Sequence, residues 1–166
     1  MGGPEALTYI DRFGTEALRA VVLVDSFIGD EPDPGRAKNH NSNVAMIRAN
    51  RTEWTRNWVQ SMFAKPQPQP YLQKLAAASL KTPTETMIAL ILNTYVVNGD
   101  DRRPVLQKLN RPVLYVGRPA MRSQANQLKA RLPAARVEFF EGSGHALFVE
   151  DPDRFNKLLD DFFGKP

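Results

Sequence analysis

Two side chains in this sequence join useful chemistry to a defined place in the chain. His145 closes the run Gly142-Ser143-Gly144-His145, directly after a stretch that reads as a strand. A Gly-Ser-Gly turn lets the backbone pass closely and can hold the next side chain above a sheet edge. An imidazole placed there can take up a proton and return it near neutral pH. The same residue could equally be a loop histidine bonded to backbone. Asp25 closes Val21-Val22-Leu23-Val24-Asp25, a carboxylate at the end of an apolar run. It can serve a neighbouring base, or simply cap the strand end and order the entry to the next segment. His40, in Lys38-Asn39-His40-Asn41, has no accompanying motif and reads as an exposed residue.

No nucleophile accompanies this pair. A complete G-x-S-x-G does not occur in the 166 residues. Ser143 has only one glycine correctly placed and no helix after it, and Ser26 follows Asp25 without a tight turn; both read as loop hydrogen-bonders. The absence of cysteine excludes disulfides and thiolate metal sites, and two histidines argue against a His-rich metal centre. No metal and no organic cofactor is expected.

The elements that must position these groups follow from composition and periodicity. A chain of 166 residues, 42% hydrophobic and 24% charged, can bury one substantial core in a soluble globular domain. The longest apolar stretch, 87–97, falls well short of the roughly 20 residues of a membrane span and contains Asn93 and Thr94. The start carries no charged segment followed by a long apolar one, so no signal peptide is read and a cytoplasmic location is expected. The net charge of +4 is dispersed, with Arg102-Arg103 the one adjacent basic pair, so neither nucleic acid nor membrane is an expected partner.

Residues 4–13 predict a helix, with Pro4 in its first turn and Gly14 as its stop. The run 21–24, rich in β-branched residues, predicts a strand buried on both faces. The segment 29–35, with two glycines and two prolines, should break regular structure. From about residue 43, Val44, Ile47, Trp54, Trp58 and Met62 recur at helical spacing, and the aromatics read as helix packing. Pro66, Pro68 and Pro70 predict an extended link, followed by a helix over 71–80. Thr82-Pro83-Thr84-Glu85 predicts a third helix, with Thr82 as N-cap and Glu85 completing a capping box. A short helix over 103–109, a buried strand over 112–117, a helix over 121–132 and an edge strand over 136–141 follow. Asp151-Pro152 then caps a closing amphipathic helix. Strands alternating with helices imply a parallel sheet.

This order resembles the C-terminal part of the α/β-hydrolase superfamily, over essentially the whole chain. The frame around His145, with Glu150-Asp151-Pro152 beyond it, resembles that family's catalytic-histidine loop, often G-x-G-H followed by E-x-P. Met1-Gly2-Gly3 resembles the end of a G-x-S-M-G-G nucleophile elbow, so the chain would start one residue after a serine. One departure stands out. The family's acid usually follows the penultimate strand as G-x-x-D, whereas Gly117-Arg118-Pro119-Ala120 has no carboxylate. Some members place the acid after the strand that follows the nucleophile helix, where this chain has Asp25. Those strands are neighbours, so either position can reach the same imidazole.

The resemblance implies an α/β fold class: three parallel strands with flanking helices, residues 1–29 and 100–166 forming the hydrolase core and 30–99 an inserted helical lid. It implies serine-hydrolase chemistry on a small apolar ester-like substrate, close to small esterases and cofactor-free haloperoxidase-like hydrolases. His145 would be general base then acid, Asp25 its orienting partner, and the Met1 amide an oxyanion-hole donor. The serine would lie upstream, leaving the isolated chain inactive. Its exposed sheet edge would pair with an N-terminal half or with another copy. Two alternatives stand beside this: a non-catalytic assembly module that keeps the fold, and an Asp-nucleophile dehalogenase or epoxide hydrolase. The latter's elbows more often continue with Trp-Gly than Met-Gly-Gly.

Overall fold

The structure is a computed structural model that describes residues 2–29, 34–92 and 102–164. It divides into two compact units, 1–30 with 101–166, and 31–100.

In the first unit, β1 (Val21–Val24), β2 (Val113–Gly117) and β3 (Arg136–Phe139) form one parallel sheet in the order β1-β2-β3. The register pairs Val24 with Val116 and Gly117 with Phe139, so β1, β2 and β3 end close together at one edge of the sheet. Strand β2 is central and buried throughout. Its alternate side chains feed two cores. Val113 and Tyr115 join Leu7, Ile10, Leu23, Ile28, Leu106 and Leu128 on one face. Leu114 and Val116 join Phe140, Leu147 and Leu158 on the other. That two-sided burial explains its unbroken apolar run. Strand β1 is less covered than expected. Val21 and Leu23 are buried, but Val22 and Val24 are half-buried. Among the described residues β1 pairs with β2 alone.

Helix α1 (Gly2–Phe13) starts two residues earlier than the sequence predicts, taking in both glycines. Gly3 is required there: a Cβ would meet Ser26 Oγ and lie 2.7 Å from the Phe27 carbonyl. The start of α1 therefore rests directly on the loop after β1. Gly14, at φ +74°, ends the helix in a conformation only glycine adopts freely. Arg102 braces the first turns by donating to the Pro4 carbonyl at 2.8 Å and to Thr8 Oγ1.

The remaining elements correct several boundaries. The short helix is a 3-10 helix, Arg103–Lys108. A further 3-10 turn, Pro119–Met121, precedes α6 (Arg122–Arg131). One helical turn unforeseen in the sequence, α7 (Leu147–Glu150), stands between His145 and α8 (Pro152–Phe163). Asp151 occupies the N-cap of α8, but its side chain makes no cap bond. Its carbonyl accepts from the Phe155 N–H at 3.0 Å.

The second unit contains α2 (Pro34–Ala49), α3 (Arg51–Ser61), α4 (Gln69–Leu80) and α5 (Thr84–Leu92). Pro34 and Gly35 begin a helix rather than break one, because proline suits a first helical turn. Asn50 separates α2 from α3 and caps α3 by accepting from the Glu53 N–H at 3.1 Å. Pro83, rather than Thr82, holds the cap position of α5, its carbonyl accepting from Met87. Val44, Ile47, Ile88 and Ile91 form the core, with Trp54 packed against it. Trp58 stacks on Trp54 at 5.8 Å between centroids but stays exposed. His40 is half-buried rather than exposed.

Candidate active site

The end of β1 carries an acid in an unusual conformation. Asp25 has φ +41°, the one left-handed non-glycine among the described residues. Such a conformation costs on the order of 1–3 kcal/mol and persists only when its surroundings hold it. Here they do. The Asp25 N–H donates to the Val116 carbonyl at 2.6 Å, continuing the ladder one residue past β1. The Tyr115 hydroxyl donates to the Ser26 carbonyl at 2.7 Å. The Ile28 N–H donates to the buried Gln124 Oε1 at 2.8 Å. Gly3 closes the loop from the side of α1.

The consequence is a fully buried carboxylate, 1% exposed, aimed across the sheet ends. Its Oδ2 lies 2.7 Å from His145 Nδ1. Its Oδ1 accepts from the Arg118 backbone N–H at 3.1 Å, and Oδ2 also accepts from Arg118 Nε at 3.0 Å. An ionised carboxylate can only accept. The hydrogen bond from His145 must then use a proton on Nδ1, which leaves the Nε2 lone pair of the neutral ring available as a base.

His145 is placed by its own loop. Phe140 is fully buried and its N–H donates to the Gly117 carbonyl at 2.9 Å, extending the β2–β3 pairing. Gly142, at φ +76°, turns the chain. The Gly144 N–H donates to the Glu150 carboxylate at 2.5 Å, tying the residue before His145 to the turn after it. The imidazole remains 48% exposed, so one edge is reachable while the other is held.

Tyr115 adds to the electrostatics beneath the acid. Burial, followed by the nearby Asp25 charge, pushes its hydroxyl far above the ordinary tyrosine range. It therefore stays a donor to Ser26 under all ordinary conditions.

Of the predicted site residues, the structure brings His145 and Asp25 together. Met1, predicted as an oxyanion donor, lies outside the described residues. The sequence reading missed Arg118, Tyr115, Gln124 and a positioning contact from Glu150. Arg118 stood in plain view after β2, but only as the place where an acid was lacking. Gln124 gave no signal, since one amide in a polar helix reads as solvated. A cavity of about 360 Å³ lies near Pro112, Val113 and Leu132, at the opposite ends of the strands, and shares no residue with this cluster. Among the described residues, no group of three His, Cys, Asp or Glu could hold a metal ion, and no helix is long and apolar enough to cross a membrane.

A parallel sheet covered by helices, with an acid and a histidine meeting past the carboxyl ends of its strands, defines a hydrolase-type α/β fold. The model of the alpha/beta hydrolase family matches residues 1–158, and the chain belongs to that family. Its fold is similar to that of an esterase from Exiguobacterium antarcticum, with a TM-score of 0.82 at 19% identity over 96% of this chain and 62% of that one. It is also similar to a bromoperoxidase from Bacillus anthracis, with a TM-score of 0.83 at 18% identity over 98% and 64%. The esterase RhEst1 from Rhodococcus sp. ECU1013 gives a TM-score of 0.77 at 22% identity over 98% and 62%. The chain thus spans under two thirds of the length of these structures. A comparison with curated proteins returns no match.

Proposed function

We propose that this chain supplies the base and the orienting acid of a serine-type hydrolase acting on ester-like acyl substrates. One observation carries the reading: Asp25 Oδ2 lies 2.7 Å from His145 Nδ1, with the acid buried and the ring partly open. In the proposed reaction a serine hydroxyl, contributed by the intact gene product, donates its proton to Nε2 of His145 as its oxygen attacks the carbonyl carbon. The imidazolium that forms is stabilised by Asp25 through Nδ1–H. The proton passes to the departing alkoxide. Water then repeats the sequence on the acyl-enzyme, and the serine is regenerated. Ser26 and Ser143 are assigned no nucleophilic role: the Ser26 carbonyl anchors Tyr115, and Ser143 is buried in the turn before His145.

The helical unit 31–100 is assigned the role of lid, setting substrate shape, with a small apolar acyl group favoured. The outer edge of β1 is assigned to a further strand of the same gene product. The half-buried Val22 and Val24 and the greater length of the similar structures support that assignment.

The test is hydrolysis of short p-nitrophenyl esters by the intact gene product. Activity lost in His145→Ala supports the reading; activity fully retained in that variant refutes it.

A further inference from the structure

Asp25 receives three hydrogen bonds on its carboxylate, and Arg118 makes two of them. The backbone N–H of Arg118 holds Oδ1, and its Nε holds Oδ2 beside the imidazole. We infer that Arg118 is a positioning residue that clamps the Asp25 carboxylate in the orientation from which it holds His145; the inference rests on the proposed roles of that pair.

The need for a clamp follows from the chemistry of the side chain. The terminal torsion of an aspartate is broad and roughly two-fold, so nothing intrinsic fixes which oxygen faces the ring. At φ +41° the Cα–Cβ bond of Asp25 already departs from the direction an ordinary strand end would give it. Two donors from one residue, one on each oxygen, remove the remaining freedom. Arg118 is itself held. It precedes Pro119, which disfavours helical backbone, and lies at φ −85°, ψ 165°. Its carbonyl accepts from the Met121 N–H at 2.9 Å.

A guanidinium suits this place because its donors are planar and fixed relative to one another, whereas an ammonium is a rotatable point charge. The side chain is 37% exposed, against 1% for Asp25. Arg118 is therefore not needed to fill the core, and removing its side chain leaves the backbone N–H bond in place.

The test uses the intact gene product labelled with nitrogen-15, in which the Nδ1–H resonance of His145 is identified by its loss in His145→Gln. The parent should show this proton protected from exchange with water. In Arg118→Met it should be lost to exchange, and in Arg118→Lys partly recovered, with circular dichroism unchanged in both. If Arg118→Met loses the fold, Arg118→Gln is read in its place. Equal protection in the parent and in the folded charge-free variant overturns the inference.

Kinetics of the intact gene product provide the second readout. Arg118→Met should lower kcat by about 10- to 100-fold with KM unchanged, as expected for a small misplacement of a reacting group. In an Asp25→Asn background the same change should add little, because the two residues act as one unit. Additive losses would show Arg118 acting independently of Asp25 and overturn the inference. An inactive His145→Ala together with a fully active Arg118→Met also defeats it and spares the proposed function. A fully active His145→Ala defeats the proposed function itself.

Discussion

His145 Nδ1 and Asp25 Oδ2 lie 2.7 Å apart although 120 positions separate them in the chain. The contact joins the residue just past β1 to a loop just past β3, over the end of the central strand. Replacing Asp25 by asparagine keeps the volume and tolerance of left-handed backbone but removes the negative charge. In the intact gene product, Asp25→Asn should lower kcat by on the order of 10³- to 10⁴-fold, as an amide can select the wrong imidazole tautomer. Steady-state kinetics on a p-nitrophenyl ester check this; a loss under tenfold would separate Asp25 from the chemistry.

Tyr115 offers a test that needs no substrate. Its hydroxyl is buried and donates to the Ser26 carbonyl, so Tyr115→Phe should cost about 1 kcal/mol in urea unfolding. The pH dependence has a definite sign. A hydroxyl whose ionisation is pushed up in the folded state is stabilising while the unfolded tyrosine is still protonated. That contribution declines as pH rises above about 10, the ordinary tyrosine value, because the unfolded chain then ionises while the folded one resists. The parent should lose stability through this alkaline range more steeply than Tyr115→Phe. Parallel profiles for the two proteins would contradict the argument.

Gly3 tests how the loop after β1 is held. A methyl group at this position would press on the Phe27 carbonyl and on Ser26 Oγ. Backbone cannot yield as a flexible side chain does, so Gly3→Ala should destabilise the chain by about 1–3 kcal/mol. Gly2→Ala should be close to neutral, since a Cβ there meets nothing within 4 Å. Thermal unfolding of the two variants side by side decides it: equal stabilities would show that α1 does not rest on this loop.

Glu150 accepts from the Gly144 N–H and so braces the loop that carries His145. Glu150→Ala should lower kcat about 10-fold or more in the intact gene product, with the charge-neutral but hydrogen-bonding Glu150→Gln retaining most activity. Equal kcat values for the alanine variant and the parent would remove Glu150 from the positioning network.

The outer edge of β1 makes a prediction about solution behaviour. Among the described residues β1 pairs on one side only, and a strand edge left open beside the half-buried apolar side chains Val22 and Val24 is a template for further pairing. The 166-residue chain by itself should self-associate at micromolar concentration, as measured by light scattering. A stable monomer across that range would count against the assignment of this edge to a further strand.

Local sequence was enough to determine the strands at Val21–Val24 and Val113–Gly117, the start of the third strand at Arg136, and the two side chains with most chemical capacity. Each of these is a matter of period or of turn composition within a few residues. The boundaries it missed, such as the one-turn helix Leu147–Glu150 and the 3-10 form of Arg103–Lys108, are short elements whose geometry is set by neighbours rather than by propensity. The strained backbone of Asp25, the anchoring of Ser26 by Tyr115 and the grip of Arg118 on the acid belong to the tertiary structure alone. Arginine after β2 looked like a missing acid until the register placed it beside Asp25, where it holds the acid that the neighbouring strand provides. A sequence specifies which groups are present; which of them share an oxygen depends on how parallel strands align when Asp25 and Arg118 lie 93 positions apart in the chain, and that is fixed only when the core packs.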